Sequence, residues 1–110
     1  MQKKSCNSID GERQGNIQAL VVNEKDNVAT SIIELNEKDS AIIQFPDGSR
    51  AGIVVFENIP KYHKFALCDM PRGRPIIKYG NIIGRSKEKI KKGEHVHIHN
   101  TVSEQEAKVQ

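Results

Sequence analysis

The chain has 110 residues, enough for one domain with a single modest core and too few to add a deep substrate pocket. Its net charge is +3, and basic residues are interleaved with acidic ones in segments such as 87–94, which indicates a solvated face rather than a nucleic-acid-binding stripe. No apolar run reaches membrane-spanning length, and the first residues lack the apolar stretch of a signal peptide. Cys6 and Cys68 lie in unlike settings, so we expect two reduced thiols and a cytoplasmic protein.

Taken in chain order, the predicted elements are short strands separated by turn residues. Residues 1–15 contain one strong hydrophobe, Ile9, and are expected to form a disordered polar tail. The helix candidate is 86–91, one or two turns at most, and 101–110 is expected to be a polar C-terminal tail or linker. The strands, rich in Ile, Val or Phe, are expected at 17–22, 28–35, 41–45, 51–56, 63–68, 76–79, 82–85 and 94–100. The sequence therefore predicts an all-β domain over 16–100.

One turn pattern recurs within this domain. In 70–77 and in 90–97, a hydrophobe is followed by two residues, a glycine, two further residues and a strand. Gly73 and Gly93 are expected to adopt the left-handed conformation that launches the next strand. A fainter copy at 35–42 places Asp39 near the glycine position, and Asp also tolerates that conformation.

Five segments carry a resemblance to a known family. They are DNVA (26–29), HKFAL (63–67), IIKYG (76–80), IG (83–84) and GEHVHIHN (93–100). Their order and spacing resemble the N-terminal SAF-type β-clip domain of the altronate/galactarate dehydratase family, over about residues 16–100. The resemblance implies a β-clip, a small fold of folded-over hairpins. In that family the domain accompanies a much larger catalytic part that eliminates water from sugar acids.

The resemblance implies that the chain is one component of a hydro-lyase and is inactive alone. Its partner would be the large catalytic subunit or C-terminal catalytic domain, which holds the divalent iron or manganese ion implied for the full enzyme. No cofactor is assigned to this chain itself, and neither nucleic acid nor membrane is expected as a partner. The substrate stays open, because 45–48 is similar to the galactarate branch and 95–100 to the altronate branch. A related lyase, such as sulfolactate sulfo-lyase, and a stand-alone β-clip module that binds carbohydrate or protein are the alternatives.

His63 and Lys64 are the first candidates for the site. They open a predicted strand after Ile59-Pro60, where both side chains would lie at the rim. Lys64 is a candidate to bind the carboxylate of a sugar acid, and His63 is a candidate catalytic group that exchanges a proton with a hydroxyl. Family members often have glycine just before this His-Lys pair, whereas this chain has Tyr62.

The three histidines of 95–99 are candidate metal ligands with a geometric limit. On an extended strand, His95, His97 and His99 share one face while Val96 and Ile98 face the core. His95 and His97 could then bind one ion, but His99 would lie about 13 Å from His95. His63 could join only if its strand lies alongside. A polar strand face, a partner-docking surface and a catalytic role are the alternatives to a metal pair.

Tyr79 and Arg85 are the remaining candidates for substrate binding. Both lie in the segments that resemble the dehydratases, and both carry polar groups that could contact a sugar acid. For Tyr79, a half-buried ring with its hydroxyl at the surface is the alternative interpretation.

Overall fold

The computed structural model describes residues 15–103 and shows an all-β fold within them. The predicted tail at 1–15 therefore lies outside the described residues, except for Gly15. The strands are β1 (Ala19–Leu20), β2 (Val28–Ser31), β3 (Ser40–Gln44), β4 (Arg50–Val54), β5 (Lys64–Ala66), β6 (Pro75–Lys78), β7 (Asn81–Ser86), β8 (His95–Val96) and β9 (Thr101–Ser103).

The strands form two sheets. The main sheet has the order β4-β3-β1-β2-β5-β8, and a smaller sheet has the order β6-β7-β9. β1 and β3 run parallel, whereas every other neighbouring pair is antiparallel. The described residues thus form the mainly antiparallel, curled arrangement expected of a β-clip.

Four turn units share one construction. Each begins with a buried hydrophobe, has a residue of positive φ three positions later, and starts a strand two positions after that. Two of these units were expected, but the fainter copy has Lys38 and not Asp39 as its left-handed residue, and the unit that starts at Ile59 was missed. The hydrophobes are Leu35, Ile59, Met70 and Ile90, and the left-handed residues are Lys38 (φ 77°), Tyr62 (70°), Gly73 (86°) and Gly93 (89°).

Backbone hydrogen bonds join the four turn units in two pairs. Leu35 and Ile59 exchange N–H···O bonds of 2.9 and 2.8 Å, which defines the first pair. Met70 and Ile90 exchange bonds of 2.7 and 2.8 Å, which defines the second pair. All four side chains are fully buried. In each pair, two buried hydrophobes are thus joined by backbone hydrogen bonds. This bridge fixes the position from which each of the two following strands begins.

Two apolar clusters lie on opposite faces of the main sheet. Successive side chains of a strand point to opposite faces, so Phe65 lies in the larger cluster while Ala66 lies in the smaller one. The larger cluster contains the first pair of turn units, and the smaller one contains the second pair. Ile76 of β6 also belongs to the smaller cluster, which therefore joins the two sheets.

Asp26 and Asn27 attach the β6–β7 hairpin to the main sheet. Both side chains are buried. Oδ1 of Asp26 accepts the Gly80 N–H at 2.8 Å, and Oδ1 of Asn27 accepts the Ile77 N–H at 2.8 Å. The Asn27 amide also donates to the Pro75 carbonyl at 2.9 Å. A buried polar group costs free energy unless it is paired, and here each pairing fixes the hairpin, so this segment of the family resemblance is structural.

Three expectations need correction. The helix expected at 86–91 is wrong, because Ser86 ends β7 and its Oγ donates to the Pro71 carbonyl at 2.7 Å, while Ile90 forms the bridge to Met70. β9 lies within the segment expected to be a tail, and it pairs with β7. Cys68 is disulfide-bonded rather than reduced, and Cys6, also expected to be reduced, lies outside the described residues.

None of the elements within 15–103 is a helix that could cross a membrane.

Candidate functional site

Strands β5 and β8 bring His63 and His95 together. Phe65 is the register partner of His95, so His95 lies on the face of the main sheet that carries Phe65. His63, two residues before Phe65, lies at the same face, and its Nδ1 is 2.9 Å from Nε2 of His95. In this contact one nitrogen donates a proton and the other accepts it, because a neutral imidazole has one nitrogen of each kind.

His97 completes a stacked cluster with these two rings. Its ring centroid is 4.4 Å from that of His63 and 5.4 Å from that of His95. The three residues offer ring nitrogens that lie within 4.8 Å of one another. We call His63, His95 and His97 the histidine cluster.

The strand expected over 94–100 is wrong beyond Val96. Asn100 closes a turn there, since its Oδ1 accepts the His97 N–H at 3.0 Å and its amide donates to the His95 carbonyl at 2.8 Å. Ile98, expected in the core, is therefore 76% exposed. The turn also carries His99 back, so that its ring centroid is 5.3 Å from that of His95.

Because of this turn, His95 also belongs to a second group of donor atoms. A carboxylate oxygen of Glu57 and ring nitrogens of His95 and His99 lie within 4.8 Å of one another. Glu57 reaches this position because the chain after β4 meets the turn before β8, where the Phe56 N–H donates to the Gly93 carbonyl at 3.0 Å. Within the described residues, His95 is thus common to two groups that have metal-ligating side chains.

Burial and neighbouring charges favour neutral imidazoles at His95 and His97. Burial, followed by the charges of His63, His99, His97 and Lys64, lowers the pKa of His95 to about 4. The pKa of His97 is also lowered, first by burial and then by His63 and Lys64. Each of these two rings therefore has an unprotonated nitrogen at neutral pH, which can accept a proton or bind a metal ion.

Lys64 lies on the face of β5 opposite the histidines. It is half-buried and pairs in register with Val96, whose side chain is in the smaller apolar cluster. The pKa of the Lys64 ammonium is lowered, first by burial and then by Lys78 on β6. An anion placed beside the two ammonium groups would favour the charged form of Lys64 and so would raise its pKa again. Lys64 and Lys78 therefore form a cationic spot suited to a carboxylate.

Tyr79 and Arg85 belong to the β6–β7 hairpin. Tyr79 and Gly80 have φ values of 56° and 79°, which is typical of a two-residue type I′ turn. The Tyr79 ring is 55% exposed, and Nζ of Lys78 lies 4.9 Å from its centroid. Nη1 of Arg85 donates to the Gly73 carbonyl at 3.4 Å. These contacts are with the hairpin and its flanking turn, not with the histidine cluster.

Sequence reasoning identified His63, Lys64, His95 and His97 but missed Lys78 and Glu57. Lys78 lies within the segment 76–80 that carries the resemblance, but its position relative to Lys64, like that of Glu57 relative to His95, depends on pairings across the fold. The pairing of β5 with β8 likewise could not be derived from spacing alone. The observed arrangement offers three convergent imidazoles on one face of β5 and two ammonium groups near the other.

Comparison with known proteins identifies the relatives of this chain. The family model of the altronate/galactarate dehydratase SAF domain matches residues 17–104. Altronate dehydratase of Escherichia coli (strain K12) is 33% identical over 85 residues, which are 77% of this chain and 16% of that protein. Galactarate dehydratase (L-threo-forming) of the same organism is 38% identical over 74 residues, 67% of this chain and 13% of that protein.

A subunit of a different lyase is also similar. The (2R)-sulfolactate sulfo-lyase subunit alpha of Chromohalobacter salexigens is 46% identical over 46 residues, which are 42% of this chain and 49% of that subunit. The matched region thus spans less than a fifth of the two dehydratases and about half of the sulfo-lyase subunit.

Proposed function

The chain belongs to the altronate/galactarate dehydratase SAF domain family, and from this membership we propose that it is the small subunit or the N-terminal domain of a sugar-acid dehydratase. In this proposal a larger catalytic part carries most of the chemistry. The present domain contributes to substrate binding or closes the site over the bound sugar acid.

The observation that carries the proposal is the convergence of three separate segments that resemble the dehydratases. Lys64 starts β5 directly after His63, His95 and His97 lie in and after β8, and Lys78 ends β6. The rings of His63, His95 and His97 contact one another, and the charge of Lys64 acts on His95 and is itself affected by Lys78. Separate segments that meet in space with complementary chemistry are the expected property of a binding site.

We assign roles by chemistry. Lys64, supported by Lys78, binds a carboxylate of the sugar acid through a charge-assisted hydrogen bond. His63 exchanges a proton with a substrate hydroxyl, because its imidazole can act as donor or acceptor. Tyr79 and Arg85 remain candidate contacts on the hairpin for the distal end of the substrate.

Reconstitution tests whether the chain acts together with a larger catalytic part. The purified chain alone should not dehydrate altronate or galactarate at a measurable rate, whereas mixing it with the cognate large catalytic part should produce activity. Turnover by the isolated chain would contradict the proposal. Full activity of the large part without this chain would leave the stand-alone binding module as the better interpretation.

The role of Lys64 is tested by Lys64→Ala in the reconstituted enzyme. A charge-assisted contact contributes about 1.5–3 kcal/mol, so kcat/KM should fall roughly 10- to 150-fold. A change confined to KM indicates ground-state binding, while a parallel fall in kcat indicates a contact that strengthens in the transition state. Lys61→Ala is the matched control, since this exposed lysine lies on the neighbouring turn and should leave both constants unchanged. Equal kinetics in the two variants would remove Lys64 from the site.

A further inference from the structure

We propose that the histidine cluster is a metal site of this domain itself, in which His63, His95 and His97 bind one divalent transition-metal ion. The proposal rests on the relative positions of the three rings in the isolated chain. It therefore does not depend on whether the chain serves a dehydratase.

The pair of nitrogens already in contact has the spacing that a common ion requires. Nitrogens bound at about 2.0–2.1 Å are roughly 2.9 Å apart when they subtend a right angle at the ion, and roughly 3.4 Å apart at the tetrahedral angle. Nδ1 of His63 and Nε2 of His95 are 2.9 Å apart. These two ligands would consequently need little movement.

His97 needs a small rotation to become the third ligand. Its donor nitrogen lies within 4.8 Å of the other two, and its ring belongs to the turn closed by Asn100 rather than to the packed sheet. A change of side-chain torsion can therefore close the remaining distance without moving a strand. Ion binding would replace the N–H···N bond between His63 and His95 by two N–metal bonds. The shared proton would then move to the other ring nitrogen of the histidine that had donated it.

The donor set indicates the class of ion. Three imidazoles suit zinc, iron, cobalt, nickel or copper, whereas calcium and magnesium require oxygen ligands. Three protein ligands also leave a position open for water or for an oxygen of a hydroxy acid. Lys64 repels a cation at this site, while Glu57, whose carboxylate lies near His95, acts in the opposite direction.

The competing group of Glu57, His95 and His99 is the less suitable one. His99 is exposed in the turn, and fixing an exposed side chain on an ion costs conformational entropy. In the histidine cluster, by contrast, backbone pairing of β5 with β8 and the existing contact already position two ligands. The two groups share His95 but differ in every other member, so substitutions can separate them.

The test is titration of the purified, untagged 110-residue chain with Zn²⁺ by calorimetry and with Co²⁺ by visible absorption. We expect one ion per chain and ligand-field bands of a nitrogen-bound cobalt ion. Loss of a direct ligand should weaken binding by about 100-fold or more, beyond the 10- to 100-fold of an outer-shell change. This loss is expected for His63→Ala and His97→Ala. His99→Ala is the matched control and should change the affinity less than about threefold.

Each contrary result overturns the proposal. Absence of saturable binding would do so, as would tight binding that His99→Ala removes and His97→Ala retains, because that pattern assigns the ion to the competing group. Thermal melts verify that each variant folds. Should His63→Ala fail to fold, the comparison of His97→Ala with His99→Ala decides, since both side chains lie in the turn outside the sheet.

Discussion

The two pairs of turn units have the same backbone course but different residues at the left-handed positions. In the first pair these positions hold Lys38 and Tyr62, and in the second pair they hold Gly73 and Gly93. An L-residue with a side chain costs about 1–2 kcal/mol in this conformation. The first pair therefore carries backbone strain that the second pair avoids. The comparison teaches that the buried, hydrogen-bonded hydrophobes impose the turn and that glycine only makes it less costly.

The second pair also differs internally. A Cβ at Gly93 would overlap the carbonyl oxygen of Val54, whereas a Cβ at Gly73 would meet nothing within 4 Å. Glycine at 73 is thus favoured only by the positive φ of the backbone. Glycine at 93 is favoured by positive φ and also by the lack of space for a Cβ. Substitutions at the four positions should separate these two causes.

Gly93→Ala should have the largest effect. The added Cβ strains the backbone and must displace the end of β4, so we expect a loss of about 3 kcal/mol or more in the free energy of unfolding. This corresponds to a fall in Tm of more than roughly 12 °C for a domain of this size. Calorimetric melting measures it. A fall equal to that of Gly73→Ala would show that the close approach to Val54 relaxes without penalty.

Gly73→Ala should have a moderate effect. Only the left-handed conformation opposes the new methyl group, and the stiffer unfolded chain offsets part of the strain, which leaves a net loss of about 1 kcal/mol. We expect Tm to fall by roughly 4–8 °C. An unchanged Tm would contradict the claim that positive φ is costly in these turns.

The reverse substitutions in the first pair should have the smallest effect, of opposite sign. Lys38→Gly relieves strain but increases the entropy of the unfolded chain, so stability should rise by about 0.5 kcal/mol. Tyr62→Gly should gain less, because it also removes the contact of Lys61 Nζ with the Tyr62 ring at 5.0 Å. Chemical denaturation of both variants beside the unmodified chain measures the difference. Destabilisation by Lys38→Gly would mean that the first pair is not strained.

The sequence predicted the fold well where local chemistry determines it. Short runs rich in Ile, Val or Phe marked eight of the nine strands found in 15–103, and two Ile/Met-x-x-Gly patterns marked the second pair. The first pair was harder to predict, because Lys and Tyr are not residue types that indicate positive φ. The φ of 70° at Tyr62 is a conformation that glycine adopts at lower cost, so glycine at this position, as the family resemblance implies, would fit the same turn.

The sequence indicated some of the side chains that meet at the candidate site but not the geometry of the site. Alternation of His95, Val96, His97, Ile98 and His99 is typical of a strand, yet the Asn100 side chain binds the backbone at His95 and His97 and bends the chain. Such a capture of backbone groups by one amide is not visible as a periodic pattern. The meeting of His63 with His95 depends on which strands pair, and that is decided by the whole fold.

The attachment of the hairpin by Asp26 and Asn27 has a consequence for how the chain folds. Its side-chain hydrogen bonds join residues 48, 50 and 54 positions apart. Contacts between such distant positions require closure of a long loop before they stabilise anything, and domains dominated by them fold in milliseconds to seconds rather than microseconds. The hairpin is therefore expected to dock late. Until it does, the smaller apolar cluster is open to solvent on the side that Ile76 will cover.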